Sequence, residues 1–166
     1  MNRSALSFLV LALGLAVLAP GAARTEAQYT MNFGTVAPEN TPWSMQLQAI
    51  KERIEKESAG RIKVRLFLSG VMGGEVEQVR DIMENGRLQA GGFSTASVAT
   101  GANVAALQIP ELPFLFRNLK EADQVLDTVL FKPIKKQLGR RGIVLGMWAE
   151  NGWRSFYTKT SPVKTL

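Results

Sequence analysis

The sequence predicts an α/β fold with a mixed, mostly parallel sheet and flanking helices. Two segments alternate like strands, Tyr29 to Val36 and Arg61 to Leu68, and each is followed by apolar residues at helical spacing. Gly60 and Gly86 stand where those helices must stop. The order strand, helix, strand, helix requires crossover connections, and these pair strands in parallel.

Tyr29-Thr30-Met31-Asn32-Phe33-Gly34-Thr35-Val36 is rich in aromatic and β-branched residues and reads as the first strand. Ala37-Pro38-Glu39-Asn40 turns the chain, and Asn40 or Thr41 caps a helix with Pro42 near its first position. Trp43, Leu47, Ile50 and Ile54 form its apolar face, opposite Lys51, Glu52, Glu55 and Lys56. In the second strand, Ile62, Val64, Leu66 and Leu68 alternate with Lys63, Arg65 and Phe67. After Ser69-Gly70 and Gly73-Gly74, Glu75 opens a helix whose inner face is Val76, Val79, Ile82 and Met83. A short third strand is expected from Leu88 to Phe93, turning into a helix at Ser94 to Ser97. Two prolines keep Leu107 to Phe116 from forming a long regular helix. Leu119 to Leu130 is helical, with Ala122, Val125, Leu126 and Val129 inward, and a further helix runs from Pro133 to Arg140. Gly142 to Ala149 reads as a buried strand that delivers Trp153 and Arg154.

The N-terminus has a different grammar. Arg3 precedes an almost unbroken apolar stretch from Ala5 to Ala19, and small residues follow at Ala22, Ala23 and Ala27. This is the pattern of a secretory signal peptide over residues 1–27, cut after Ala23 or, preferably, Ala27. A membrane anchor is the alternative, but the stretch is short against the roughly 20 apolar residues that a spanning helix needs. No Cys stands at the junction to carry a lipid. The reading places the mature protein in the periplasm.

Composition narrows the chemistry. The chain has 166 residues, 46% hydrophobic and 20% charged, as a globular protein should. With neither Cys nor His it has no thiol nucleophile and lacks the commonest general base and metal ligand. Neither a metal nor a cofactor is expected. Removal of Arg3, Arg24 and Glu26 with the leader leaves 18 basic and 13 acidic residues. They are interspersed, so a nucleic-acid stripe is not expected, while a modest pull on anionic ligands is.

Candidate binding residues follow from topology. Ligands of open α/β sheets bind beside the carboxyl ends of the strands, where helix N-termini favour an anion. The loops there are Ala37 to Thr41, Ser69 to Glu75 and Ser94 to Ser97. Ser94, Thr95 and Ser97 add small hydroxyl donors, although for any one of them helix capping is the stronger expectation. Glu75 favours a helix start, and Glu75 and Glu77 read as solvated. Arg154 reaches the end of an apolar strand among aromatic side chains, where a guanidinium needs an anionic partner. That partner is a structural carboxylate or a bound acid. Trp153 beside it suits the core as well as a ligand. Arg117, Arg140 and Arg141 read as surface residues. No Gly-x-Ser-x-Gly elbow and no Walker or dinucleotide fingerprint is present.

Several of these pieces together resemble the TRAP-transporter solute-binding proteins of the DctP type. The resemblance runs through Gly34-Thr35-Val36-Ala37-Pro38 with Pro42-Trp43, Gly60-Arg61-Ile62-Lys63-Val64, Gly73-Gly74-Glu75, Leu112-Pro113-Phe114-Leu115-Phe116-Arg117 and Glu150-Asn151-Gly152-Trp153-Arg154. It implies the N-terminal lobe of a two-lobed periplasmic-binding-protein-like fold. Residues 28–142 would form the first lobe, and residues 143–166 the hinge strand and the start of a second. It implies a receptor, not an enzyme, that captures a small organic acid, a carboxylate such as a C4-dicarboxylate, and hands it to the integral-membrane subunits of a sodium-coupled permease. By the same resemblance Arg154 lies near the ligand carboxylate, and Thr35, Val36, Glu75, Ser94 and Thr95 face the cleft.

The departures shape a further expectation. The family's principal carboxylate-binding arginine, in a segment resembling Lys-Gly-Leu-Lys-aliphatic-Arg, has no counterpart in these residues, and Gln89 stands where the third strand usually carries Asp. The chain reads as the N-terminal part of a receptor about twice as long, truncated in a linker after Ser161-Pro162-Val163. Alone it is expected to bind ligand poorly and to expose apolar surface that a second lobe would cover. An exported sensory domain of the same fold is the alternative, and an α/β enzyme with catalytic residues beyond Leu166 is a weaker one.

Overall fold

The computed structural model describes residues 27–150, 152–153 and 158–160. The expected leader, apart from Ala27, and Arg154 lie outside the described residues. β1 (Tyr29–Thr35) is the central strand of a three-stranded sheet, between β2 (Ile62–Phe67) and β3 (Ala90–Gly92). Both pairings are parallel, with Tyr29 opposite Ile62 and Thr35 opposite Gly92. The expected α/β sheet is present, and among the described residues it contains only parallel pairs.

α1 (Pro42–Glu57) starts at Thr41 rather than Asn40. Ser44 N donates to Thr41 Oγ1 (3.3 Å) and Thr41 N donates to Ser44 Oγ (3.0 Å), a reciprocal cap that satisfies two helix-end amides. Asn40 takes a left-handed conformation in the turn, φ 59°. Leu47 is buried beneath α1, with Trp43, Ile50 and Ile54 half-buried on the same face. Glu55 reaches from the helix to the open edge of β2. Its carboxylate accepts from Val64 N (2.9 Å) and from Lys51 Nζ (2.6 Å). One amide of the edge strand is thereby shielded from pairing with another chain.

α2 (Glu75–Arg80) runs on into a π-type turn, Asp81–Asn85, which ends at left-handed Gly86, φ 65°. Asp81 is buried there, accepting from Asn85 Nδ2 (2.7 Å), Arg87 Nε (3.2 Å) and Arg87 Nη2. α3 (Thr95–Ala102) crosses α2 closely at Gly101, where a Cβ would stand 2.7 Å from Val79. A 3₁₀ segment, Ala105–Glu111, follows, then α4 (Leu119–Val125) with a second π-type turn at Leu126–Leu130, and α5 (Phe131–Gly139). Val79, Ala99, Ala102, Val104, Leu107, Ile134 and Leu138 form one buried cluster under α2, α3 and α5.

Three expectations are corrected. The third strand is half the expected length: at its start the Gln89 side chain accepts from Asn32 N (2.9 Å) in place of a strand carbonyl, and at its end Phe93 folds over Gly91. Val129 faces solvent rather than the core, since the π-type turn rotates it off the inner face of α4. The buried strand expected at Gly142 to Ala149 is neither paired nor buried. Its alternation is real, with Ile143, Leu145 and Trp148 against the core. No strand among the described residues lies beside it, and Val144 on its other face is 83% exposed. Trp148 is held edge-on to Phe131 with ring centroids 6.5 Å apart, and its Nε1 donates to Leu126 O (3.2 Å).

The two anchored carboxylates make acid a specific stress. Hydrogen bonding, from Lys51 and then Val64 N, holds Glu55 below the ordinary carboxylate range, and Asn85 and then Arg87 do the same for Asp81. A depressed carboxyl contributes stability above its unfolded-state value, and that contribution is lost as pH falls through the folded-state value. The melting temperature is therefore expected to fall as pH drops below about 4. Circular dichroism melts of the wild type against a Glu55→Gln/Asp81→Asn variant check this: the variant's acid limb should be flatter.

Candidate functional site

Parallel pairing brings the carboxyl ends of β1, β2 and β3 to one side of the sheet, where the three following loops meet. The loops are bonded to one another. Gly70 N donates to Thr35 O (3.0 Å) and Ser69 N to Ala37 O (2.9 Å), joining the loop after β2 to the end of β1. Thr35 is wholly buried, and its hydroxyl donates to Gly92 O (3.0 Å) while accepting from Ala37 N (3.1 Å). That hydroxyl ties β1 to β3 and has no capacity left to donate to a ligand. Val36, half-buried, follows directly.

The first turn of α3 is the polar centre of this side. Ser94 is its N-cap, with Ser97 N donating to Ser94 Oγ (3.3 Å), so the capping role holds. The same residue also grips Glu75: Ser94 N donates to Glu75 Oε1 (3.1 Å) and Ser94 Oγ to Glu75 Oε2 (2.6 Å). Glu75 is half-buried and engaged, unlike the solvated residue that was expected. Thr95 Oγ1 (2.9 Å) and Ala96 N (3.1 Å) both donate to Glu111 Oε1. The helix end expected to favour an external anion thus already carries two carboxylates of the protein, where the helix dipole stabilises them. Glu111 was missed by sequence reasoning. It sits between two apolar prolyl segments, and nothing in its local sequence signals a reach of 15 residues back to Ala96.

Trp153 is exposed, and Arg154 falls outside the described residues. Arg117 is exposed and serves Glu121, its side chain 3.4 Å away. Among the described residues no group of acidic side chains is arranged to hold a metal ion. No described helix is long and apolar enough to cross a membrane. Leu112, Phe114, Leu115, Leu119 and Met147 are large apolar side chains left exposed.

Residues 33–166 match the family model of DctP, the bacterial extracellular solute-binding protein family 7. The chain belongs to this family. DctP-family proteins are solute-binding proteins and not a class of enzymes. The chain is 26% identical over 159 residues to the 2,3-diketo-L-gulonate-binding periplasmic protein YiaO of Escherichia coli, covering 93% of this chain and 46% of that protein. It is 27% identical over 142 residues to the C4-dicarboxylate-binding protein DctB of Bacillus subtilis, covering 83% of this chain and 39% of the other. Its fold matches a TRAP periplasmic solute-binding protein of Anaerococcus prevotii, solved with bound D-glucuronate, with a TM-score of 0.72 and 26% identity over 81% of this chain and 43% of that one. The chain spans less than half the length of these relatives.

Proposed function

We propose that this chain is part of a periplasmic receptor that captures a small organic acid and delivers it to the membrane subunits of a sodium-coupled TRAP permease. Family membership supports the receptor role, and one observation carries the choice of site: three strand-end loops converge on the first turn of α3, where Glu75 holds Ser94. In this reading residues 28–142 are the first lobe, residues 143–166 begin the passage to a second, and residues 1–27 direct export.

The donor inventory favours a ligand class. Ser94 N, Ser94 Oγ, Thr95 Oγ1 and Ala96 N already serve carboxylates, so this turn presents acceptor oxygens to a ligand. Carboxylate oxygens suit hydroxyl donors and repel a second carboxylate. The ligand proposed is a polyhydroxylated monocarboxylate, of the kind bound by the Anaerococcus relative, with a C4-dicarboxylate as the second reading. Its carboxylate requires a cation, for which Arg154 is proposed, with Trp153 as a flanking surface. Val36 and the backbone at Thr95 complete this wall, and the buried Thr35 braces it from behind.

The test is to read the locus on both sides of these codons, express the whole reading frame, and titrate D-glucuronate and succinate by calorimetry. D-glucuronate is expected to bind at least about tenfold more tightly, and Glu75→Ala to weaken it about 10- to 100-fold, the loss of hydrogen bonds to a charged group. Tighter binding of succinate, undiminished by Glu75→Ala, would favour the dicarboxylate. Silence toward both would overturn both ligand readings.

A further inference from the structure

We infer that Gln78 is a positioning residue for Glu75, an inference that rests on the reading of Glu75 as part of the ligand site. Gln78 lies one turn into α2 and is fully buried. Its Nε2 donates to Gly73 O at 2.7 Å, while its Oε1 is buried without a hydrogen-bond partner. An amide buried half-satisfied is a costly way to fill space, and leucine or methionine would fill the same volume without the orphaned oxygen. What the amide does that they cannot is hold Gly73 O.

That bond sits at a decisive place. Gly73 has a left-handed φ of 101° and precedes Gly74, the N-cap of α2, with Glu75 next. The loop from β2 reaches Gly73 through a second left-handed glycine, Gly70, φ 70°, and Gly73 N donates to Gly70 O (2.9 Å). Glycines in these conformations leave the loop many alternatives. Gln78 removes them from below. Its Oε1 lies against Gly34 near the carboxyl end of β1, the central strand, where any Cβ would overlap it, and its Nε2 pins the turn. The line runs from Gly34 through Gln78 and Gly73 to Glu75 and on to Ser94, so the aim of the Glu75 carboxylate is set by the centre of the sheet.

The test follows amide hydrogen exchange by NMR in this chain. Gln78→Met keeps volume and removes the donor. It is expected to leave the melting temperature nearly unchanged and to speed exchange of the Ser94 amide about tenfold or more, toward its rate in Glu75→Ala. A fall in melting temperature with Ser94 exchange unchanged would mark Gln78 as mere packing and overturn the inference. If the methionine variant does not fold, Gln78→Asn, one methylene short of Gly73 O, is read in the same way. The unsubstituted chain gives an independent check: its Gln78 Nε2 protons must exchange slowly, and exchange as fast as that of a surface glutamine overturns the proposal. No ligand enters these measurements. A chain that binds no acid therefore leaves them standing, and their failure leaves the receptor reading intact.

Discussion

Replacing Gly34 by valine is expected to lower the unfolding free energy by about 2 to 3 kcal/mol, although valine is the better strand residue. Strand propensity alone would favour valine by up to about 1 kcal/mol, and glycine carries an entropic cost in a strand interior. The position reverses that preference. Gly34 is buried between Phe67 and Gly91 of the neighbouring strands, and α2 lies directly on its α-carbon. A Cβ there would overlap Gln78 Oε1 and come 2.6 Å from Leu88 Cδ1. Leu88 is itself buried, and close-packed interiors offer few voids to retreat into. Overpacking a filled core costs about 1 to 3 kcal/mol and occasionally more, so collision outweighs propensity. Urea denaturation followed by tryptophan fluorescence measures the loss. A double-mutant cycle with Gln78→Ala should recover about 1 kcal/mol or more, because the two groups share one space. An additive cycle would mean that α2 stands further from β1 than these distances require.

Gly34 also marks where the sequence could be read and where it could not. Alternation and helical spacing are local properties, and they located β1, β2, α1 and α2 because each element's own apolar residues recur at its period. The cap at Thr41 was legible for the same reason, since its partner Ser44 is three residues away. The strand expected at Gly142 to Ala149 carries the right alternation but has no neighbour among the described residues, and a strand exists only with a partner. The polar centre was half legible. Ser94 and Thr95 stand at a predictable strand exit, but their partners Glu75 and Glu111 lie 19 and 16 residues away. Gln78 gave no signal at all: on a helix a glutamine reads as solvated, and only the missing side chain of Gly34 makes room for it. The receptor family, by contrast, was legible in short runs that need no structure.

Leu138→Ala is expected to be the most damaging single truncation in the described chain, costing about 3 kcal/mol. Leu138 and Ile134 are one turn apart on α5, both almost completely buried, while Lys132, Lys135 and Lys136 point outward. Through them α5 closes the cluster that Val79 brings from α2 and Ala99 and Ala102 bring from α3. Removing a buried isobutyl group loses its transfer energy and leaves a cavity that these small neighbours cannot fill. The damage should also spread along the chain. Ile143 N donates to Leu138 O (3.0 Å), and Arg141 Nε donates to Ala102 O (3.0 Å), so α5 anchors the segment from Ile143 to Trp148 that packs on the cluster. Trp148, held by Leu126 O and Phe131, should become more exposed, with red-shifted emission before the main unfolding transition. Leu112→Ala is the contrast: Leu112 belongs to the apolar surface left open to solvent, and its truncation should change stability by no more than about 0.5 kcal/mol. Equal costs at the two leucines would mean that the exposed surface is covered in solution. The cluster under α5 would then be only one of two cores.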